Sequence, residues 1–312
     1  MRARTFFSAC SLFFLSTAIL PVSSVYAAQP KVTVQAKQLE LASTSALVVD
    51  LNSGKEVFAS FPDTIVPIAS ITKLMTAMVV LDARQSLDEV IPVTIRDTQD
   101  LKGVFSRVRV GSLLSRREML RLALMSSENR AASTLAHNYP GGHTMFVAAM
   151  NAKARALGLR NTRFAEPTGL STRNVSTARD LVTMLKAARQ YTLIRQMSTT
   201  PKGDAYFRTP NYALSFFNTN PLVRNADWHI QLSKTGFTDA AGHCLVMVAE
   251  VGNRPMAMVL MGSLGKASRF ADASRVRSWV ETGKSAPLPI AAISYKQQRI
   301  QQLRQLALSR AN

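Results

Sequence analysis

The hydrophobic period changes along the chain, and that change limits the folds open to it. "SALVVDLNSGKEVFAS" (45–60) holds two short apolar runs around "DLNSG", a turn signal, and reads as a β-hairpin. The middle then turns helical. "PIASITKLMTAMVVLDA" reads as a helix with Pro67 just before it and Ser70 in its first turn. Two strand-like pieces follow, "EVIPVT" and "VFSRVRV", ended by Gly111. "SRREMLRLALMSSENRAASTLAHNY" is helical and broken near its middle, and "GHTMFVAAMNAKARALGL" is amphipathic with Gly158 as its stop. "STARDLVTMLKAARQY" carries Ser176 or Thr177 as N-cap. Late in the chain, "IQLSKTGFT", "HCLVMVAEV" and "RPMAMVLMGS" look like three successive strands, with "GNRP" as the turn between the last two. "KASRFADASRVRSWVETG" closes as a helix. Strands, a helical middle, then strands and a helix predict an α/β protein of the α+β kind. The first hairpin and last three strands would form one antiparallel sheet flanked by helices, and the middle a helical lobe. Clefts between lobes are where small ligands sit.

The chain begins with two arginines, an apolar run and "VYA", the pattern of a secretory signal over residues 1–27. Residues 28–40 read as a linker, 41–285 as the folded domain and 286–312 as a basic tail. Cys10 would leave with the signal, so Cys244 would be the only cysteine and no internal disulfide is possible. An exported chain without disulfides rests on its core, and 47% hydrophobic residues allow one. The formal charge is +19, of which about +17 remains once two signal arginines are removed. No aromatic-and-basic recognition pattern or zinc knuckle points to nucleic acid. An anionic envelope polymer or anionic lipid suits the charge better, the plainer reading being that scattered Lys and Arg keep the protein soluble.

Ser70 and Lys73 in "SITK" stand three apart on one helix face. A serine hydroxyl needs a base, and a lysine amine serves if burial or a nearby cation lowers its pKa. The helix start adds N–H groups that favour developing negative charge. Alone, S-x-x-K is a weak signal. "MSSEN" adds Ser127, able to pass a proton to a leaving group, and Asn129, able to hold a substrate carbonyl. "SKTGF" adds Lys234 for a substrate carboxylate, Thr235 for a further hydrogen bond, and Gly236, beside which substrate backbone can lie. The N–H of Phe237 would complete the oxyanion site with that of Ser70. The second serine follows the first by 57 residues, and Lys234 comes 107 later, room for a helical lobe between.

S-x-x-K, S-x-N and K-T-G in this order form the constellation of penicillin-binding proteins and β-lactamases. Over residues 40–285 the chain resembles the penicillin-binding serine D-Ala-D-Ala peptidases. "LMSSENRAASTLAHNYPGG", "FAEPTGLSTRNVSTARDL" and "KTGFTDAAGHCLVMVAEV" look like the small endopeptidase type within that family. The resemblance implies a β-lactamase/DD-peptidase-like fold and a periplasmic enzyme that cuts D-Ala–diaminopimelate cross-links in peptidoglycan. It implies Ser70 as the acylated serine, Lys73 as base, Ser127 as proton relay, and Lys234 with Thr235 as substrate holders; Asn129 and Gly236 match the remaining motif positions. It implies β-lactams as covalent inhibitors, no metal or organic cofactor, and other wall hydrolases as candidate partners. Only 76 residues follow Gly236 in the 312-residue chain, which favours the compact endopeptidase over larger carboxypeptidases with a second β-rich domain. A carboxypeptidase removing terminal D-Ala, and a non-hydrolytic peptidoglycan or β-lactam binding module, stay open as alternatives.

Other residues invite roles. Glu166 in "FAEPTGL" sits where class A β-lactamases place a water-activating glutamate, but the Pro-Thr-Gly after it matches the peptidase pattern. It reads as a loop-closing hydrogen-bond acceptor. His137, His143, His229 and His243 form no dense metal-ligand set. Cys244 reads as a buried small hydrophobe. The tail at 295–310 is weakly amphipathic, suited to a membrane surface, to a partner, or to fraying as a terminal helix.

Overall fold

The computed structural model describes residues 39–311 apart from Asp97 and Lys102. The expected signal and nearly all of the expected linker lie outside the described residues. The chain opens with β1 (Ser45–Asp50), β2 (Glu56–Ser60), β3 (Val66–Pro67) and α1 (Thr72–Asp82). Next come β4 (Val90–Pro92), β5 (Leu113–Ser115), α2 (Arg116–Met125), α3 (Asn129–His137) and α4 (Gly142–Ala156). Then follow β6 (Val175–Ser176), α5 (Ala178–Ala188), α6 (Thr192–Ser198), β7 (Lys202–Phe207) and β8 (Tyr212–Phe217). The chain closes with β9 (Ile230–Thr238), β10 (Gly242–Val251), β11 (Arg254–Ser263), α7 (Gly265–Thr282) and α8 (Ile290–Ala311).

As the hydropathy pattern predicts, the first hairpin joins the last three strands. The sheet order is β2-β1-β11-β10-β9, antiparallel throughout. β1 is apolar from Ala46 to Val49, and every residue in it, Ser45 and Asp50 included, is buried, because the sheet is covered on both faces. Leu47 and Val49 join a core with α1, α2 and α5, whereas Ala46 and Val48 pack in a second core with Ala273 and Val276 of α7. β9 is left at the edge, with Lys234, Thr235 and Gly236 within it.

Local signals hold at several predicted boundaries. Thr177 caps α5 by accepting from the N–H of Asp180, and Gly158 follows α4 at φ +73°. The helix predicted from Pro67 starts later. Ala69–Ile71 form a 3-10 turn and α1 begins at Thr72, so Ser70 stands in the turn before the α-helix. The strand expected at "VFSRVRV" is a loop. Arg107 and Arg109 lie over the rings of Phe216 and Tyr212, and the Val108 carbonyl accepts from Arg130. Side chains from β8 and α3 thus hold this segment in place of a partner strand. The β7–β8 hairpin was not signalled, since Gly203, Asp204 and Ser215 blur its alternation.

The segment expected as a basic tail is α8, laid against its own chain. Ala292 is buried and Leu303 packs on the core. Lys296 donates to the Leu41 carbonyl (2.9 Å), and Arg299 donates to the Ala240 carbonyl (2.6 Å) in the β9–β10 turn. Leu303, one member of the apolar side that suited a membrane, is therefore taken up by the chain itself. Among the described residues no helix is long and apolar enough to cross a membrane.

Candidate active site

Ser70 is presented by a strained turn. Ala69 has φ +48°, a left-handed conformation that costs a residue with a Cβ about 1–2 kcal/mol. Neighbours hold it there: the Ala69 carbonyl accepts from the Thr72 hydroxyl (2.8 Å), and the Ile68 N–H donates to the Asn174 carbonyl (3.1 Å). Two glycines seat against this turn. A Cβ on Gly169 would lie 1.9 Å from the Ala69 oxygen, and one on Gly236 would lie 3.1 Å from the Ser70 nitrogen. The K-T-G strand and the "EPTGL" loop can approach the serine this closely only because both carry glycine.

Lys73, one helical turn on, is fully buried. Its Nζ donates to Ser70 Oγ (2.9 Å), Asn129 Oδ1 (2.7 Å) and the Thr168 carbonyl (2.6 Å), which uses all three protons of an ammonium. Burial lowers its pKa to about 8, against the opposing pull of the Glu166 and Glu128 carboxylates. Asn129 is the first residue of α3, placed by the break after α2. Within the break Ser127 adopts φ +62°, and Glu128 caps α3 through the Arg130 N–H (3.1 Å).

Lys234 is also buried, and its Nζ donates to the Thr235 carbonyl (2.9 Å). Burial, followed by the charges of Lys73 and Arg269, pushes its pKa well down. Thr235 Oγ1 donates to Thr219 Oγ1 (2.7 Å), and the Thr219 N–H donates to the Met125 carbonyl (3.1 Å), tying the edge strand to the end of α2.

Ser70, Ser127, Asn129, Thr235, Gly236 and Phe237 together line one open cleft of about 550 Å³, with Lys73 and Lys234 buried behind it. A groove of similar size, about 600 Å³, lies between α8 and the Asp63–Pro67 segment, but no member of the three motifs lines it. Every residue picked from the motifs is thus brought to one place.

Residues outside the three motifs shape the site as well. Glu166 is the loop-closing acceptor it reads as, and it does more than close the loop. Its two oxygens accept from the Thr168 N–H and hydroxyl (both 2.6 Å), the Gly169 N–H (2.6 Å) and Asn174 Nδ2 (3.0 Å). This fixes the Thr168 carbonyl that Lys73 uses. Thr219, Leu170, His243, Lys266, Arg269 and Phe270 also line the cleft, and among the described residues none that lines it is acidic. The "EPTGL" glycine is a local signal that a closer reading would have used. Arg269 is in the cleft because β10 and α7 meet there, a long-range placement that no local pattern announces.

The comparisons with known proteins agree with this geometry. The chain is 56% identical to a D-alanyl-D-alanine endopeptidase of Escherichia coli (strain K12) over 294 residues, 94% of this chain and 95% of that one. It is 57% identical to a D-alanyl-D-alanine endopeptidase of Pseudomonas aeruginosa over 289 residues, 93% of each chain. The crystal structure of penicillin-binding protein D2 from Listeria monocytogenes, in its cefotaxime-bound form, superposes with a TM-score of 0.68 at 27% identity, covering 79% of this chain and 98% of that one. A family model described as D-alanyl-D-alanine carboxypeptidase matches residues 31–265. With that match spanning most of its length, the chain belongs to the peptidase S11 family of D-alanyl-D-alanine carboxypeptidases.

Proposed function

We propose that the chain is a serine D-alanyl-D-alanine endopeptidase that cleaves D-Ala–diaminopimelate cross-links in peptidoglycan through an acyl-enzyme on Ser70. The observation that carries this is Lys73: fully buried, its pKa lowered to about 8, and its Nζ 2.9 Å from Ser70 Oγ. The endopeptidase names of the two relatives support the choice of cross-links over terminal D-Ala.

Neutral Lys73 takes the Ser70 proton as Oγ attacks the D-Ala carbonyl carbon. The oxyanion is held by the N–H groups of Ser70 and Phe237. Collapse breaks the C–N bond, and Ser127 passes the proton gained by Lys73 to the leaving amine. Asn129 orients the substrate through its amide. The carbon next to that amine bears a carboxylate, which Lys234, Thr235 and Arg269 receive. Gly236 lets substrate backbone lie along the open edge of β9. Water then attacks the ester carbonyl and gives a proton back to Ser70 Oγ. β-Lactams acylate the same serine and remain attached, because their leaving group is tethered. The proposed compartment is the periplasm, reached through the signal expected over 1–27.

The test uses the mature chain and a Ser70→Ala control, each incubated with cross-linked muropeptide dimers and separately with monomeric pentapeptide, products being read by mass. Dimers cut to monomers by the wild type alone is the expected result. Release of only terminal D-Ala would make the protein a carboxypeptidase. Penicillin labelling without product from either substrate would make it a binding module.

A further inference from the structure

Beyond the K-T-G strand the cleft wall is a row of four side chains in contact. The Phe237 ring lies on His243, with centroids 4.2 Å apart and planes 22° apart. His243 Nδ1 is 2.6 Å from Arg269 Nη1, and the Arg269 guanidinium lies 4.5 Å over the Phe270 ring. Phe237 and His243 face each other across β9 and β10, while Arg269 and Phe270 come from the start of α7. Lys266, exposed one turn earlier, lines the same stretch.

A guanidinium only donates, so His243 Nδ1 accepts and the ring is neutral with its proton on Nε2. Burial, then the charges of Arg269 and Lys266, lowers the His243 pKa and keeps it so. Among the described residues, Arg269 Nε is buried with no hydrogen-bond partner and no acidic residue lines the cleft. This end of the cleft is therefore cationic and aromatic.

Substrate chemistry orients the row. On the acyl side of the scissile bond the next groups are a methyl and a neutral amide. On the leaving side the first carbon carries a carboxylate, so the cationic end is the leaving-group end. Terminal D-Ala stops at that carboxylate. A cross-link does not: from the same carbon run the methylenes of diaminopimelate, leading to the second stem peptide and its further carboxylates.

We infer that Phe237, His243 and Phe270, with Lys266, form a subsite for the second stem peptide, so that this row selects cross-links over chain ends. The methylene chain lies across the exposed ring of Phe237 and over Phe270, and Lys266 meets a carboxylate of the second stem. The inference rests on the proposed endopeptidase reading.

The test compares kcat/KM for a cross-linked muropeptide dimer with the rate constant for acylation by benzylpenicillin, which has no second stem. Lys266→Gln changes an exposed side chain and leaves the core intact; Phe270→Ala removes a ring, and Phe270→Tyr restores it. For Lys266→Gln and Phe270→Ala the ratio of the two constants falls about tenfold, mainly through KM, and Phe270→Tyr recovers most of it. An unchanged ratio in both variants overturns the subsite, whether the two constants stay put or fall together as they would if the row only supports Arg269. A wild-type protein that acylates but leaves dimers uncut overturns the endopeptidase reading, and the subsite with it.

Discussion

A lysine amine at its ordinary pKa of 10.5 is protonated at neutral pH and cannot take a proton from serine; Lys73, in its buried position, sits at about 8. Burial disfavours the ammonium, so the neutral base is gained as pH rises. Acylation of Ser70 by benzylpenicillin should climb about tenfold per pH unit below about 8 and level off above it. A stopped-flow profile that is flat from pH 6 to 9 would remove Lys73 from the role of base. Glu166 tunes this residue from behind. Its charge holds the Lys73 pKa up, and its oxygens hold the Thr168 carbonyl in place. Glu166→Gln removes the charge and leaves an amide among N–H donors. The acid limb should move to lower pH, and stability should fall by about 1–3 kcal/mol, read from pH profiles and urea unfolding. A limb that moves upward would contradict the electrostatic account.

The turn at Ala69–Ile71 and the "EPTGL" loop are the elements on which the serine depends, and they differ in how far the sequence revealed them. S-x-x-K and K-T-G were legible because spacing alone puts Ser70 near Lys73, and a strand pattern puts Lys234 beside Gly236. The antiparallel sheet was legible because its central strands are continuous apolar runs. The 3-10 turn was not, since Ala69 adopts its positive φ only under contacts from Asn174 and Thr72. Nor was the loop at 104–110, whose alternating Val and Arg mimic a strand while the arginines in fact lie over aromatic rings. Gly169 offers the sharpest test at this scale. Its φ is +88°, and a Cβ there would overlap the Ala69 carbonyl at 1.9 Å. Gly54 has a similar φ of +74° with nothing within 4 Å, so Gly54→Ala isolates the conformational cost alone, about 1–2 kcal/mol. Gly169→Ala should cost at least about 2 kcal/mol more in urea unfolding and slow Ser70 acylation, because the turn must move. Equal costs for the two alanines would mean that the loop does not brace the serine.

The charge of the whole molecule has its own consequence. The formal charge is +19, yet the cations nearest the chemistry are not those that meet a partner first. Lys73 and Lys234 are fully buried, and Lys296 and Arg299 of α8 are spent on backbone carbonyls. The remaining field comes from exposed side chains, and dissolved salt screens it over about 10 Å at 0.1 M and about 3 Å at 1 M. Peptidoglycan carries many stem-peptide carboxylates, so association with the intact wall polymer should depend on this outer charge, whereas bond-making at Ser70 depends on groups shielded from salt. Raising NaCl from about 0.05 to about 0.5 M should therefore reduce co-sedimentation with purified peptidoglycan several-fold, while benzylpenicillin acylation changes by less than about twofold. Wall binding that ignores salt would show that the positive charge serves solubility alone. A parallel loss of acylation would show instead that the buried lysines are reached by solvent, against the burial on which the low Lys73 pKa depends.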